Sequence, residues 1–168
     1  MVSFMFIGLV VTILLTPGPT NTLLASAGIQ AGVKQSLKLI PAEVMGYLIA
    51  ITSWGVLLES VSHFIPWLPA LLKLISATFI LYLAFKLWIT STNDIKLDTP
   101  LITPKALFVA TLLNPKALLF ASAIFPHAAW EVLHVYFVHI AIFLSLITPI
   151  AFLWIAFGTV LISNKVTW

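Results

Sequence analysis

Five long apolar runs, each nearly free of charge, divide this chain of 168 residues. They lie at about 4–27, 39–58, 68–88, 106–125 and 135–161. A helix rises about 1.5 Å per residue, so each run can cross a hydrocarbon layer about 30 Å thick. Only 8% of the residues are charged and the mean hydropathy is +1.15, whereas a soluble domain is about a quarter charged. Too few polar side chains exist to cover a water-facing shell, so the lipid bilayer is the expected solvent. In lipid every backbone N–H and C=O must be satisfied internally, which long unpatterned apolar runs achieve as helices. The expected fold is therefore all-α: a polytopic transmembrane helical bundle of about five spans, forming a single integral membrane domain over 1–168.

Two of the runs are broken by proline. Thr16-Pro17-Gly18-Pro19-Thr20-Asn21 interrupts the first, and Asn114-Pro115-Lys116 interrupts the fourth. Similar stretches follow them: Leu23-Leu24-Ala25-Ser26-Ala27 after the first, Leu118-Leu119-Phe120-Ala121-Ser122-Ala123 after the second. Proline lacks an N–H and clashes with the carbonyl of the preceding turn, so the helix must open at each break. Gly18 is expected to supply a backbone conformation closed to other residues. Thr16, Thr20, Asn21 and Thr22 are placed either to satisfy the freed carbonyls or to bind a ligand. Irregular backbone at membrane depth is tolerated only where it is buried in protein or lines a cavity. Paired breaks in corresponding halves of a chain point to a transporter's substrate site. The expected substrate-binding set is thus Thr16, Pro17, Gly18, Pro19, Asn21, Asn114, Pro115 and Lys116, and the alternative is a pair of kinks that serve packing alone.

Lysines orient the chain. If five spans alternate, Lys34, Lys38, Lys86, Lys96, Lys105 and Lys165 share one side and Lys73 lies on the other. Basic loops stay cytoplasmic, which predicts an external N-terminus and a cytoplasmic C-terminus. The two broken spans then run in opposite directions, as an inverted repeat of three plus two spans requires. The incomplete second copy leaves one face of the bundle open, which would suit association with a second copy of the chain.

Two charged residues fall inside apolar runs. Lys116 is either a buried cation on a pathway, a snorkelling side chain, or a first-turn residue of a helix that starts at Pro115 with Asn114 as its cap. Glu43, in Pro41-Ala42-Glu43-Val44-Met45-Gly46, is either a buried proton-coupling carboxylate or an interfacial residue beside Lys38. Histidines are weaker signals: no spacing defines a metal site, and His139 either relays protons or is simply hydrogen-bonded near its span end. Most tryptophans sit near span ends as interface anchors. Cysteine is absent, which removes disulfides and thiolate chemistry. No cofactor is expected, scattered lysines give no basic stripe for nucleic acid, and no paired carboxylates, nucleophile–base pair or phosphate loop suggests an enzyme.

These motifs resemble the LysE/RhtB family of amino-acid exporters. The resemblance rests on Thr16-Pro17-Gly18-Pro19, on Gly32 and Gly46 around the second span, on Leu81-Tyr82-Leu83-Ala84-Phe85-Lys86-Leu87-Trp88 at the end of the third, and on Leu112-Leu113-Asn114-Pro115-Lys116-Ala117. It implies a bacterial inner-membrane protein that exports amino acids or related small metabolites, driven by proton exchange. It also implies about six spans, so the last span of the second copy is expected to be missing. Gln35 and Ala42 stand where the family commonly has glycine. The alternative expectation is a truncated, non-transporting paralogue or an assembly partner.

Overall fold

The computed structural model describes residues 2–62, 64–68, 70–72, 74–75, 78, 81–82 and 101–163. Every element among them is helical: α1 (Phe4–Leu15), α2 (Pro19–Ser36), a 3₁₀ turn (Leu37–Leu39), α3 (Ile40–Ser62), α4 (Pro104–Leu112), α5 (Pro115–Leu119), a π-helical turn (Phe120–Ile124), α6 (Ala128–Glu131) and α7 (Leu133–Ser163). The first run is thus α1 plus α2, the second is α3, the fourth is α4 plus α5 and the π turn, and the fifth is α7. Leu68, Ala70–Leu72 and Leu81–Tyr82 of the third run are also helical. The rest of the Leu81–Trp88 signature, Lys73, Lys96 and Lys165 lie outside the described residues.

Local chemistry explains the boundaries. Ser3 caps α1 by accepting from the Phe6 N–H at 3.1 Å, and Thr103 caps α4 by accepting from the Ala106 N–H at 3.1 Å. Pro19, Pro104 and Pro115 each start a helix, where a missing N–H costs nothing. Residues 28–38, expected as a linker, are instead helical on both sides of one kink. That kink is Gly32, at φ 70° and ψ 174°, a backbone that favours glycine. Pro149 lies within α7, whose helix continues through it.

Among the described residues two helices, taken as Pro19–Val61 and Leu133–Leu161, are long and apolar enough to cross a membrane. The pair Pro104–Leu112 and Pro115–Ile124, bent by 42°, makes a third if it is one span. The protein is an all-α membrane protein.

Helices approach closely where side chains are small. The most extensive pairing is α2 on α7. There the Thr159 hydroxyl donates to the Gly28 carbonyl at 3.1 Å, and Gly28 and Gly158 face opposing backbone. Without a hydrophobic drive between helices in lipid, such small-residue contacts carry the association. Gly46 of α3 similarly receives Thr111 of α4. One core cluster (Phe6, Val10, Leu14, Tyr47, Ile51, Phe120, Phe143, Ile147) ties α1, α3, the π turn and α7 together.

Candidate functional site

The two breaks meet. Pro17 has no N–H to give the Ile13 carbonyl four residues back, so that carbonyl is left open at the end of α1. Lys116 fills the vacancy from the other half of the chain: its Nζ donates to the Ile13 carbonyl at 2.9 Å and also to the Thr16 carbonyl. Asn21 completes the arrangement, donating through Nδ2 to the Leu14 carbonyl at 2.7 Å and to the Thr16 carbonyl at 2.9 Å. Thr16 and Thr22 turn their hydroxyls to the carbonyls of Thr12 and Gly18, both at 2.9 Å. The carbonyls opened by Pro-Gly-Pro are thus taken by side chains, as the polar residues around it suggested.

The second break is tied to the first by Asn114. Its Oδ1 accepts from the Lys116 N–H at 3.0 Å, capping α5. Its Nδ2 donates to the Thr20 hydroxyl at 3.2 Å and to the Tyr47 hydroxyl at 2.9 Å. The expectation that α5 starts at Pro115 with Asn114 as its cap therefore holds. Snorkelling does not: Lys116 is 1% exposed, and its ammonium is spent on main-chain carbonyls inside the bundle.

Glu43 is also 1% exposed, packed inside the bundle rather than on its surface. The Thr20 hydroxyl hydrogen-bonds its carboxyl, and the charge of Lys116 is close enough to act on it. Its Oε2 is buried without a hydrogen-bond partner among the described residues. One helical turn along α3, Tyr47 packs edge-on against Phe143, with ring centroids 5.7 Å apart, and against Phe120, at 6.2 Å. Lys116, Asn114, Thr20, Tyr47 and Glu43 thus form one buried polar cluster drawn from three helices, α2, α3 and α5 with its cap, and closed on one side by aromatic rings.

Gly18 has a different role from the one expected. Its φ of −169° is ordinary extended backbone. Glycine instead leaves room for the lysine, since a Cβ there would lie 2.9 Å from Lys116 Cε and 3.1 Å from Nζ and would push the lysine end aside. The absent side chain is the passage through which lysine reaches α1.

Residues 11–168 match the family described as LysE type translocator. The chain belongs to this family. Curated relatives of this LysE type translocator include the cysteine/O-acetylserine efflux proteins of Salmonella paratyphi A and Salmonella typhi, each 32% identical over 82 residues, which is 49% of this chain and 42% of the relative. That of Salmonella choleraesuis is 31% identical over 80 residues, 48% of this chain and 41% of the relative. The chain therefore aligns with less than half the length of the curated relatives. No solved structure matches.

Thr20 and Tyr47 are the site residues the sequence expectation left out of its binding set. Tyr47 could have been found by its i,i+4 spacing from Glu43, which puts both on one face of α3. His139 does hydrogen-bond within its own helix, through Nδ1 and the Val135 carbonyl at 2.7 Å, and its ring packs on Phe6. At the far end of α3, His127 bridges two carboxylates: Nε2 lies 3.2 Å from Glu59 and Nδ1 lies 3.4 Å from Glu131. Those three could hold a metal ion by proximity, but contacts through opposite ring nitrogens suit an ion-paired imidazole better than three ligands on one ion. Trp67 is exposed as an interface anchor would be, whereas Trp154 packs into the interior.

Proposed function

We propose that this translocator exports amino acids or related small metabolites across the bacterial inner membrane in exchange for protons. One observation carries the reading: two proline-opened helices, far apart in sequence, are joined in the interior by Lys116 and Asn114 beside the buried carboxylate of Glu43. Buried charge in a membrane domain is expensive and marks a pathway or a relay. Opened helices facing each other are how secondary transporters expose backbone groups to substrate. The relatives are named for cysteine and O-acetylserine, so those two compounds are the first substrates to try. Thr16, Pro17, Gly18, Pro19, Asn21, Asn114, Pro115 and Lys116 form the substrate region, and Glu43 carries the proton. The lysine distribution favours an external N-terminus and cytoplasmic C-terminus, in a single membrane domain whose open face takes a second copy of the chain.

Efflux of labelled cysteine and O-acetylserine from cells producing the protein tests this, with Lys116→Ala and Glu43→Gln compared at matched protein levels. Wild type should exceed empty cells several-fold, and both variants should lose at least about tenfold. Efflux at background in all three would favour the non-transporting alternative. Equal efflux in all three would remove Lys116 and Glu43 from the mechanism.

A further inference from the structure

The C-terminal end of α1 is a cation site with no cation of its own. Aligned peptide dipoles place partial negative charge at a helix C-terminus, and α1 has no basic residue in its last turn. Pro17 opens the Ile13 carbonyl there, and the Thr16 carbonyl turns to the same point. Both accept from one primary ammonium group, which arrives on a flexible four-carbon stem from a residue 103 positions away. Gly18 keeps the approach free of side chains. The same buried cluster holds a second acceptor: among the described residues Glu43 Oε2 has no hydrogen-bond partner, and Glu43 stands one turn along α3 from Tyr47, which Asn114 of the second break reaches at 2.9 Å. Lysine therefore has two places to be: the carbonyl pair it now occupies, and the carboxylate it does not.

We propose that the Ile13 and Thr16 carbonyls form a primary-ammonium site which Lys116 fills in this closed conformation, and that the ammonium group of an amino-acid substrate replaces Lys116 there. This rests on the export reading and adds to it the recognition element and the gate. Lysine and the amino-acid backbone both present a compact –NH₃⁺ with three donors. With substrate ammonium on the carbonyls, Lys116 moves to Glu43, the two breaks separate, and the substrate carboxylate lies toward the N-terminus of α2, where no side chain caps the helix. With no substrate bound, Lys116 returns and the interior shuts, which is the conformation seen here with Lys116 1% exposed. Lysine thus prevents an open pathway from standing empty.

Chemical rescue tests the site without transport. Lys116→Ala leaves the carbonyl pair vacant, so methylammonium should bind in its place. The melting temperature of the purified variant in detergent should rise by about 2–4 °C at a roughly fivefold excess over the dissociation constant. Tetramethylammonium, which has no N–H to donate, should give no such rise. Wild type, where the cation must displace Lys116, should respond less than the alanine variant, and Lys116→Met, with the passage filled, should respond equally to the two cations. If the alanine variant does not accumulate, the folded yield of a fluorescent-protein fusion grown with each cation serves as the readout, with the same expected contrast. Equal effects of the two cations on the alanine variant, or none, overturn the proposal. Rescue without any efflux by wild type would sink the export reading and leave the ammonium site standing; efflux without rescue would do the reverse.

Discussion

Gly18 and Lys116 share one space: the lysine stem passes where a side chain on residue 18 would stand, with Cε only 2.9 Å from the position of a Cβ. In this closed conformation, swinging the lysine end aside would give up its ammonium's hydrogen bonds to the Ile13 and Thr16 carbonyls. Gly18→Ala should therefore act through Lys116. Overpacking of this kind costs about 1–3 kcal/mol. The two residues should be coupled, so that the double variant Gly18→Ala with Lys116→Ala loses less stability than the sum of the single changes. Melting temperatures of the four proteins in detergent give the coupling, expected at about 0.5–3 kcal/mol for residues in contact. Simple additivity would show that the glycine serves something else.

Asn114 holds both breaks, and its two functions can be separated. Asn114→Asp keeps an oxygen to cap the Lys116 N–H but removes the amide donors to Thr20 and Tyr47. It also adds a carboxylate near Glu43. Asn114→Ala removes the cap as well, worth about 1 kcal/mol, and leaves buried polar groups unpaired at about 1–3 kcal/mol. Alanine should therefore lower the melting temperature more than serine at the same position, since serine can still cap. Thermal melting of the two variants ranks them, and an equal loss would mean that the cap contributes nothing.

The two breaks were legible because proline acts on its own neighbourhood: Pro17 frees a carbonyl four residues back whatever the fold, and Asn114 before Pro115 reads as a cap. The burial of Lys116 and Glu43 was an open alternative for the same reason, since depth depends on what packs outside the window. Partners across the chain left no local trace. Nothing near Ile13 indicates that its carbonyl waits for a lysine 103 residues on. Gly32 and Gly28 are four apart, but Gly32 makes a kink whereas Gly28 meets α7 beside Gly158, a difference that depends on what packs there. Gly18 was expected to supply unusual backbone and instead supplies room. Tyr47 was passed over because an aromatic residue in an apolar run reads as core, and its ring does pack there while its hydroxyl joins the polar cluster.

The crossing of α2 and α7 should be intolerant of a single methyl group. A Cβ on Gly28 would lie 2.1 Å from the Ile155 carbonyl oxygen, and one on Gly158 would lie 1.9 Å from that of Ala25. Both obstacles are backbone, which cannot turn aside as a side chain can. Gly28→Ala and Gly158→Ala should each cost at least the upper part of the usual 1–3 kcal/mol for overpacking. Gly8 is the control. It lies in α1 with nothing within 4 Å of a Cβ, so Gly8→Ala should be neutral or stabilise by up to about 1 kcal/mol through helix propensity. Melting in detergent should separate the two crossing variants from Gly8→Ala by several degrees; three matching curves would mean that this interface is looser than its geometry.

Glu43 gives the prediction that bears most directly on coupling. Its Oε2 is buried with no partner while Thr20 holds the carboxyl from the other side. An atom placed so can gain and lose a proton without breaking a hydrogen bond. Glu43→Gln keeps the shape of the side chain and an oxygen for Thr20, removes the titration and the negative charge, and sets amide N–H donors where Oε2 stood, at about 1–3 kcal/mol if they stay unpaired. The variant should therefore fold with a melting temperature a few degrees below wild type. In cells its efflux should be slow and indifferent to a protonophore, whereas wild-type efflux should fall when the proton gradient collapses. Glu43→Asp, which retains a titrating group on a shorter stem, should recover part of the protonophore sensitivity. A glutamine variant as sensitive to the gradient as wild type would mean that the proton travels by another group, and His139, buried against Phe6 on α7, would be the next to change.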